Sequence, residues 1–216
     1  MAKRYVYTVD HKNEYTKIEV NFEWFPGFSK EQKRKSVESL HSSFLKDYNE
    51  KVLEVSTAST EEIGVKLSAF NLKVKTAKGY EFTVEQLFQT SKVFKENGVQ
   101  TNLLEQGLDS REVKKRLRTL HENDELIGFE CFGRKFPLEP KTLFYNWLYL
   151  QTLSSNDELS ERIMDYGAFS DISFNPNKSI NCQAEACAIY VMLKRKKQLE
   201  IALKSPESFK ETVYNI

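Results

Sequence analysis

The 216-residue chain has little of what most dedicated chemical centres are built from: three cysteines, three histidines, five prolines and eight glycines. Cys131, Cys182 and Cys187 form an odd set with no CxxC pair, so structural thiols are expected rather than a disulfide framework or a zinc ribbon. His11, His41 and His121 are scattered, without HExxH or paired-carboxylate spacing, so no metal site and no cofactor are expected. No apolar run approaches the ~20 residues of a membrane span. The opening "MAKRYVYTVD" has no hydrophobic stretch behind its basic residues, so secretory export is not expected and cytoplasm is the default. A net charge of only +1 argues against nucleic-acid binding by the whole surface.

What is present is a composition with 40% hydrophobic and 29% charged residues, that of a soluble chain able to build one sizeable core. "RYVYTV" and "KIEVNFEW" alternate with a period of two and predict an antiparallel pair. Pro26 and Gly27 end it, and Ser29 with Gln32 has the spacing of a helix cap, with Val37, Leu40, Phe44 and Leu45 as the apolar row of a helix to about Tyr48. "GVKLSAFNLKVKTAKGYEFT" reads as a short loop and then a hairpin turning at Lys78-Gly79, and Thr83 with Gln86 caps the next helix. Further helices are predicted over Asn102–Gln106, Ser110–Glu122, Lys141–Leu153, Asp157–Tyr166 and Ile180–Ala202. The sum is α+β, mostly helical, in one domain without a long linker or internal repeat.

Two stretches bear charge in a pattern. "SREVKKRLRTL" predicts a helix N-capped by Ser110, with Val113, Leu117 and Leu120 as its apolar row. Arg111, Lys115 and Arg118 share one face, either a solvated surface or a phosphate cradle. In "YEFTVEQLFQTSKVF" a continuous helix puts Val84, Leu87, Phe88, Ser91 and Phe94 on the buried stripe, with Glu85, Gln89 and Lys92 on one shoulder. Glu85 and Lys92 are then about 10.5 Å apart along the axis at 1.5 Å per residue, within reach of one ligand. A carboxylate and an amine so placed suit proton transfer and nucleophilic attack, though such pairs also occur on solvated helices.

"LSAFNLKVKTAKGYEFTVEQLFQTSK" resembles the hallmark segment of the NADAR family, in which a Phe-Ser-x-Phe-like loop leads through a hairpin to a Ser/Thr-x-Glu-His-x-x-Gln-x-x-Lys-like helix. Ser68, Phe70 and Asn71 fall in the loop, and Thr83, Glu85, Phe88, Gln89 and Lys92 in the helix. Gln86 stands where many relatives have histidine, so no role of that histidine carries over. "GRKFPLEPKTLFYNWLYLQTL" resembles the family's following helix, with Phe136 near a common tryptophan position. "YGAFSDISFNPNKSINCQAEACAIYVMLKRK" resembles its closing motif through Asp171 and Asn181, without the helix-start glycine of other members. The segment "FEWFPGFSKEQKRKSVESLHSSF" is similar to an extension of NADAR proteins encoded beside DarT-type DNA ADP-ribosyltransferase toxins.

The resemblance implies a predominantly helical YbiA-like fold over residues 1–216, with residues 1–60 as an extension packed on it. It also implies an N-glycosidase that removes ADP-ribose from guanine in DNA, an antitoxin with a cognate ADP-ribosyltransferase as partner. Glu85 and Lys92 would be the catalytic pair. Ser68, Phe70, Asn71, Gln89, Arg111, Lys115, Arg118, Asp171 and Asn181 would bind substrate, the loop "SDISFNPNKSIN" carrying Asp171 and Asn181 to the cleft of Glu85. Two other readings stand beside it: an N-glycosidase acting on a small metabolite such as a riboflavin-pathway intermediate, and a non-enzymatic antitoxin that occludes a protein partner.

Overall fold

Alternation along the first strand sets the layers of the molecule, a computed structural model that describes residues 1–76, 78–104 and 106–216. Strand β1 (Ala2–Val9) pairs antiparallel with β2 (Tyr15–Phe22), as the period-two pattern predicts. Val6, Val20 and Phe22 face helix α1 (Lys30–Phe44), whereas Tyr7 and Val9 face the main core. Ser29 caps α1 by accepting the Gln32 N–H at 3.2 Å. The helix stops at Phe44, not near Tyr48. Leu45 is left 48% exposed, and the Tyr48 ring folds back to stack on Phe44 at 4.8 Å.

Strand β3 (Val52–Glu54) follows, and then helix α2 (Glu62–Lys66), a turn of helix where the sequence reads as loop. A Cβ on Gly64 would lie 2.1 Å from the Glu54 carbonyl oxygen, so the absent side chain is what lets α2 sit on β3. Strands β4 (Lys73–Lys75) and β5 (Glu81–Thr83) form the expected hairpin, with Gly79 at φ 84° in its turn; the neighbouring Ala77 is outside the described residues. Thr83 and Gln86 cap helix α3 (Val84–Thr90) reciprocally.

Here the structure corrects the sequence reading. Helix α3 ends at Thr90, and Lys92 and Phe94 belong to strand β6 (Lys92–Phe94), not to the helix. The reason is tertiary pairing: β7 (Gly98–Val99) lies on one side of β6, and on the other lies β8 (Leu126–Cys131), whose Glu130 N–H donates to the Ser91 carbonyl at 2.7 Å. Strand β9 (Arg134–Phe136) completes a four-stranded sheet, β7-β6-β8-β9, that the periodicity did not announce because its strands are short. A 3-10 turn at Thr101–Leu103 replaces the helix expected over Asn102–Gln106, whose Glu105 lies outside the described residues. Helix α4 (Ser110–Asn123) is capped one residue earlier than expected. Asp109 accepts the Arg111 and Glu112 N–H groups, and the Ser110 hydroxyl contacts Thr83 Oγ1 at 3.2 Å instead. Val113 and Leu117 anchor α4 on Phe94 and Leu103.

Helix α5 (Leu143–Ser154) is apolar all round and buried on nearly every face, the signature of a central helix. Helix α6 (Asp157–Arg162) and a 3-10 turn (Ile163–Asp165) lead to β10 (Ala168–Ser170), which pairs antiparallel with β1 and parallel with β3 in the sheet β2-β1-β10-β3. Three of its four strands thus come from the first 60 residues. The helix expected over Ile180–Ala202 starts later and breaks. Helix α7 (Gln183–Arg195) ends where Lys197 turns left-handed at φ 57°, and α8 (Leu199–Leu203) and α9 (Pro206–Tyr214) follow. Ala184, Ala186, Cys187 and Ala188 are fully buried in α7, small enough to let it approach its neighbours closely. The architecture is α+β, 43% helix and 20% strand. No helix among the described residues is long and apolar enough to cross a membrane.

Candidate functional site

Lys92 owes its position to the break in α3. Because the chain turns into β6 at that point, Lys92 and Glu85 do not reach along one helix face; Gln89 bridges them. Its amide donates to Glu85 Oε1 at 3.0 Å and its carbonyl oxygen accepts from Lys92 Nζ at 2.7 Å. Glu85, Gln89 and Lys92 are all buried, at 8%, 5% and 9% exposure respectively. Nζ also lies 2.8 Å from His121 Nε2 on α4 and 5.6 Å from the centre of the Phe88 ring. Burial pulls the Lys92 amine down to about 8, with the Glu85 charge opposing and the Lys114 charge assisting.

A cavity of about 510 Å³ opens over this amine. Gln89, Lys92 and His121 line it, and α4 supplies Arg111, Lys114, Lys115 and Arg118. The three basic residues grouped on one face in the sequence therefore do meet at a concave surface. Lys114 Nζ is 3.9 Å from Glu85 Oε1, which sets the carboxylate just behind the cationic wall. Arg118 shares its charge with Glu122 at 3.4 Å on the exposed side.

The closing motif does not line this cavity: neither Asp171 nor Asn181 is among its walls, and the link to Glu85 runs through Gln183 and Ala69. Asp171 is 8% exposed and its Oδ1 accepts the Ser173 and Phe174 N–H groups at 3.0 and 3.2 Å. Burial pushes its carboxyl up, against these bonds and one from the Gln183 side chain. Gln183 Oε1 in turn accepts the Ala69 N–H at 2.8 Å, and the Ala69 carbonyl accepts the Glu85 N–H at 2.9 Å. Ala69 thus ties Gln183 to the Glu85 backbone, and a side-chain series runs Glu85, Gln89, Lys92, His121. Burial raises the hydroxyl of Tyr145 on α5 well above the usual range, and the Glu85 and Asp171 charges add to the effect.

Ser68 and Asn181 flank the Ala69–Gln183 contact. Ser68 Oγ and Asn181 Oδ1 are both buried and have no hydrogen-bond partner among the described residues. Phe70, next to Ala69, is 47% exposed and offers a free ring face. Asn71 is not brought to the Lys92 cavity. Its amide donates to the Val65 carbonyl at 2.8 Å and it lines a separate surface hollow with Lys66, Lys75 and Glu158. Sequence reasoning missed His121, Lys114, Gln183 and Tyr145. For His121 a signal existed, since it lies one helical turn beyond Leu117 on the row that packs α4 against β6.

The remaining candidates for chemistry are occupied structurally. Cys131, Cys182 and Cys187 are free and buried, and burial raises each thiol, Cys187 to about 12, which leaves them unreactive. Among the described residues no group of three or more His, Cys, Asp or Glu side chains is placed to hold a metal ion. Gln86, at the histidine position of the resembling motif, turns away from the cavity: its side chain accepts the Thr83 N–H and donates to the Leu108 carbonyl.

Compared with known proteins, the chain matches the family model described as DarT1-associated NADAR antitoxin over residues 2–216. No curated protein matches it.

Proposed function

The chain belongs to the family of DarT1-associated NADAR antitoxins, and from that premise we propose that it is an N-glycosidase that removes ADP-ribose from guanine in DNA, reversing the modification made by a DarT-type toxin. The observation that carries the reading is a lysine with a lowered pKa, hydrogen-bonded through Gln89 to a carboxylate, at the floor of a cavity walled by four cations. With an amine pKa near 8, roughly one molecule in ten holds a neutral lysine at pH 7, about 300-fold more than an unperturbed lysine would provide.

The chemistry suits these groups. Breaking a C–N glycosidic bond builds positive charge at the anomeric carbon and negative charge on the departing base. In the proposed reaction the Lys92 amine attacks the anomeric carbon, and Glu85 protonates the departing guanine nitrogen or steadies the cation. Ring opening leaves the ribose as an imine on Lys92, and water hydrolyses the imine to free ADP-ribose and the amine. Arg111, Lys114, Lys115 and Arg118 hold the diphosphate, a use for which clustered guanidinium and ammonium groups are suited. Asp171, with the unpartnered Ser68 and Asn181 oxygens, takes the ribose hydroxyls, and Phe70 stacks on a base. Asn71 has no role in this scheme.

Incubating the protein with DNA that carries ADP-ribosylated guanine, followed by mass analysis, tests the proposal. Free ADP-ribose and unmodified guanine are expected. Intact substrate after prolonged incubation, or release from free modified nucleoside alone, would contradict it, the second outcome pointing to a metabolite enzyme.

A further inference from the structure

His121 belongs to none of the motifs that mark this site, yet its Nε2 is 2.8 Å from the Lys92 amine. The ring is held there: it packs edge-on against Phe94 of β6, with centroids 5.0 Å apart and planes at 76°. An ammonium group can only donate, so at this distance one of the two nitrogens is neutral and a single proton lies between them. The groups that face the pair decide where it goes. Among the described residues two carboxylates contact the site's cations, Glu85 beside Lys114 and Glu122 beside Arg118 on the exposed side; Tyr145 comes from α5, and α4 contributes Arg111, Lys114, Lys115 and Arg118. Four cations against two carboxylates, one of them on the exposed side, disfavour a second positive charge on the pair. His121 is exposed on its cavity side and can pass a proton on to water, whereas Lys92 is buried.

We propose, on the basis of the glycosidase reading above, that His121 is the proton acceptor for Lys92. As the substrate binds, an N–H bond of the lysine ammonium breaks. The proton goes to Nε2 and the electron pair remains on Nζ. That pair forms the new bond to the anomeric carbon. The bond that breaks is the one from this carbon to the guanine nitrogen, whose electron pair leaves with the base; the proton then left on the new secondary ammonium at Nζ passes through the Glu85 carboxylate to that nitrogen, so Glu85 ends as it began. Imidazolium then gives its proton to water in the cavity and is ready for the next cycle. The chain thereby draws a histidine from α4 to the nucleophile, while Gln86 serves as a helix cap.

The test compares His121→Gln, whose amide oxygen can still accept the lysine hydrogen bond but cannot take the proton, with His121→Ala. Both change an exposed position, and circular dichroism is the check that they fold. With ADP-ribosylated DNA, His121→Gln is expected to lose about 10²-fold in kcat with KM within about twofold. The acid limb of its pH profile should move upward, since lysine must then surrender its proton directly to solvent. Added imidazole is expected to restore a large part of the His121→Ala rate, in proportion to the neutral imidazole present. A His121→Gln enzyme with the wild-type rate and pH profile would show that the ring only positions the amine, and so would a His121→Ala enzyme that imidazole does not rescue. Wild-type protein that releases no ADP-ribose would sink the glycosidase reading and this inference together; active wild type with an unimpaired His121→Gln sinks the inference alone.

Discussion

The molecule holds two buried carboxylates in hydrogen-bonded series that end on histidine, and they have opposite characters. Glu85 connects through Gln89 and Lys92 to His121 beneath a cavity of about 510 Å³. Glu54 accepts from the Ser56 and Ser170 hydroxyls and the Ile172 N–H, and Ser170 contacts His41 Nε2 at 2.8 Å. Glu54 and Ser170 are 2% and 0% exposed, sealed between β3, β10 and α1. Burial raises the Glu54 carboxyl, the Asp171 charge adds to it, and burial lowers His41 to about 4, so burial favours the neutral form of both groups. A histidine wired to a carboxylate is therefore not by itself a reactive centre. Beside Glu85 there is also an amine, an opening, and a ring of cations to meet a charged ligand.

The sharpest way to break this contrast is Lys92→Arg, which keeps the charge and removes the attacking amine. Under the proposed mechanism turnover should fall by about 10⁴-fold or more, at least 5 kcal/mol of barrier, with thermal unfolding still cooperative. Retained turnover would make Lys92 a phosphate ligand. On the sealed side, Gly64→Ala forces a Cβ against the Glu54 carbonyl oxygen and is expected to cost about 3 kcal/mol or more, read as a lower denaturation midpoint.

Lys92→Met should act in the opposite sense to Gly64→Ala. The Lys92 amine is lowered from 10.5 to about 8, so the unfolded chain binds more protons between these values and stability rises with pH across that window. Below pH 8 the buried charge is a cost, and Lys92→Met is expected to stabilise by up to about 3 kcal/mol there, 2.5 units at 1.36 kcal/mol each. The gain should shrink as pH rises from 8 to 10.5. A variant less stable than wild type at pH 7 would mean that the bonds to Gln89 and His121 outweigh desolvation. Glu54→Gln replaces a carboxyl whose neutral form burial favours, so a change within about 1 kcal/mol at pH 7 is expected from chemical denaturation. A large loss would show that Glu54 is ionised in the folded protein. The mildest effect concerns the cationic wall: Arg111→Ala or Lys115→Ala should raise KM several-fold and reduce the slope of log affinity against log salt by about one for each lost phosphate contact.

The parts of this molecule that were readable in the sequence are those where local chemistry and tertiary packing agree. The β1–β2 pair, the β4–β5 hairpin and the Thr83–Gln86 cap follow from alternation, a glycine turn and side-chain capping, which act within a few residues. Lys92 and Phe94 were misplaced because helical periodicity continues through Thr90, and only the distant β8 pulls the chain out into β6. The candidate site divides the same way. Glu85, Gln89 and Lys92 are close in sequence and were found together, as was the basic face of α4. The bond that ties the closing segment to them joins Gln183 to the Ala69 backbone, and no periodicity marks a contact between residues 114 positions apart. His121 stands isolated from the other histidines in sequence; its partner in space is a lysine.

The central claim is that Lys92 bonds covalently to the substrate, and borohydride trapping during turnover on ADP-ribosylated DNA tests it most directly. The account predicts a reduced ADP-ribose adduct on the wild-type protein, mapped by peptide mass analysis to Lys92, and none on Lys92→Ala. An adduct on another lysine, or turnover without any trapped adduct, would contradict it.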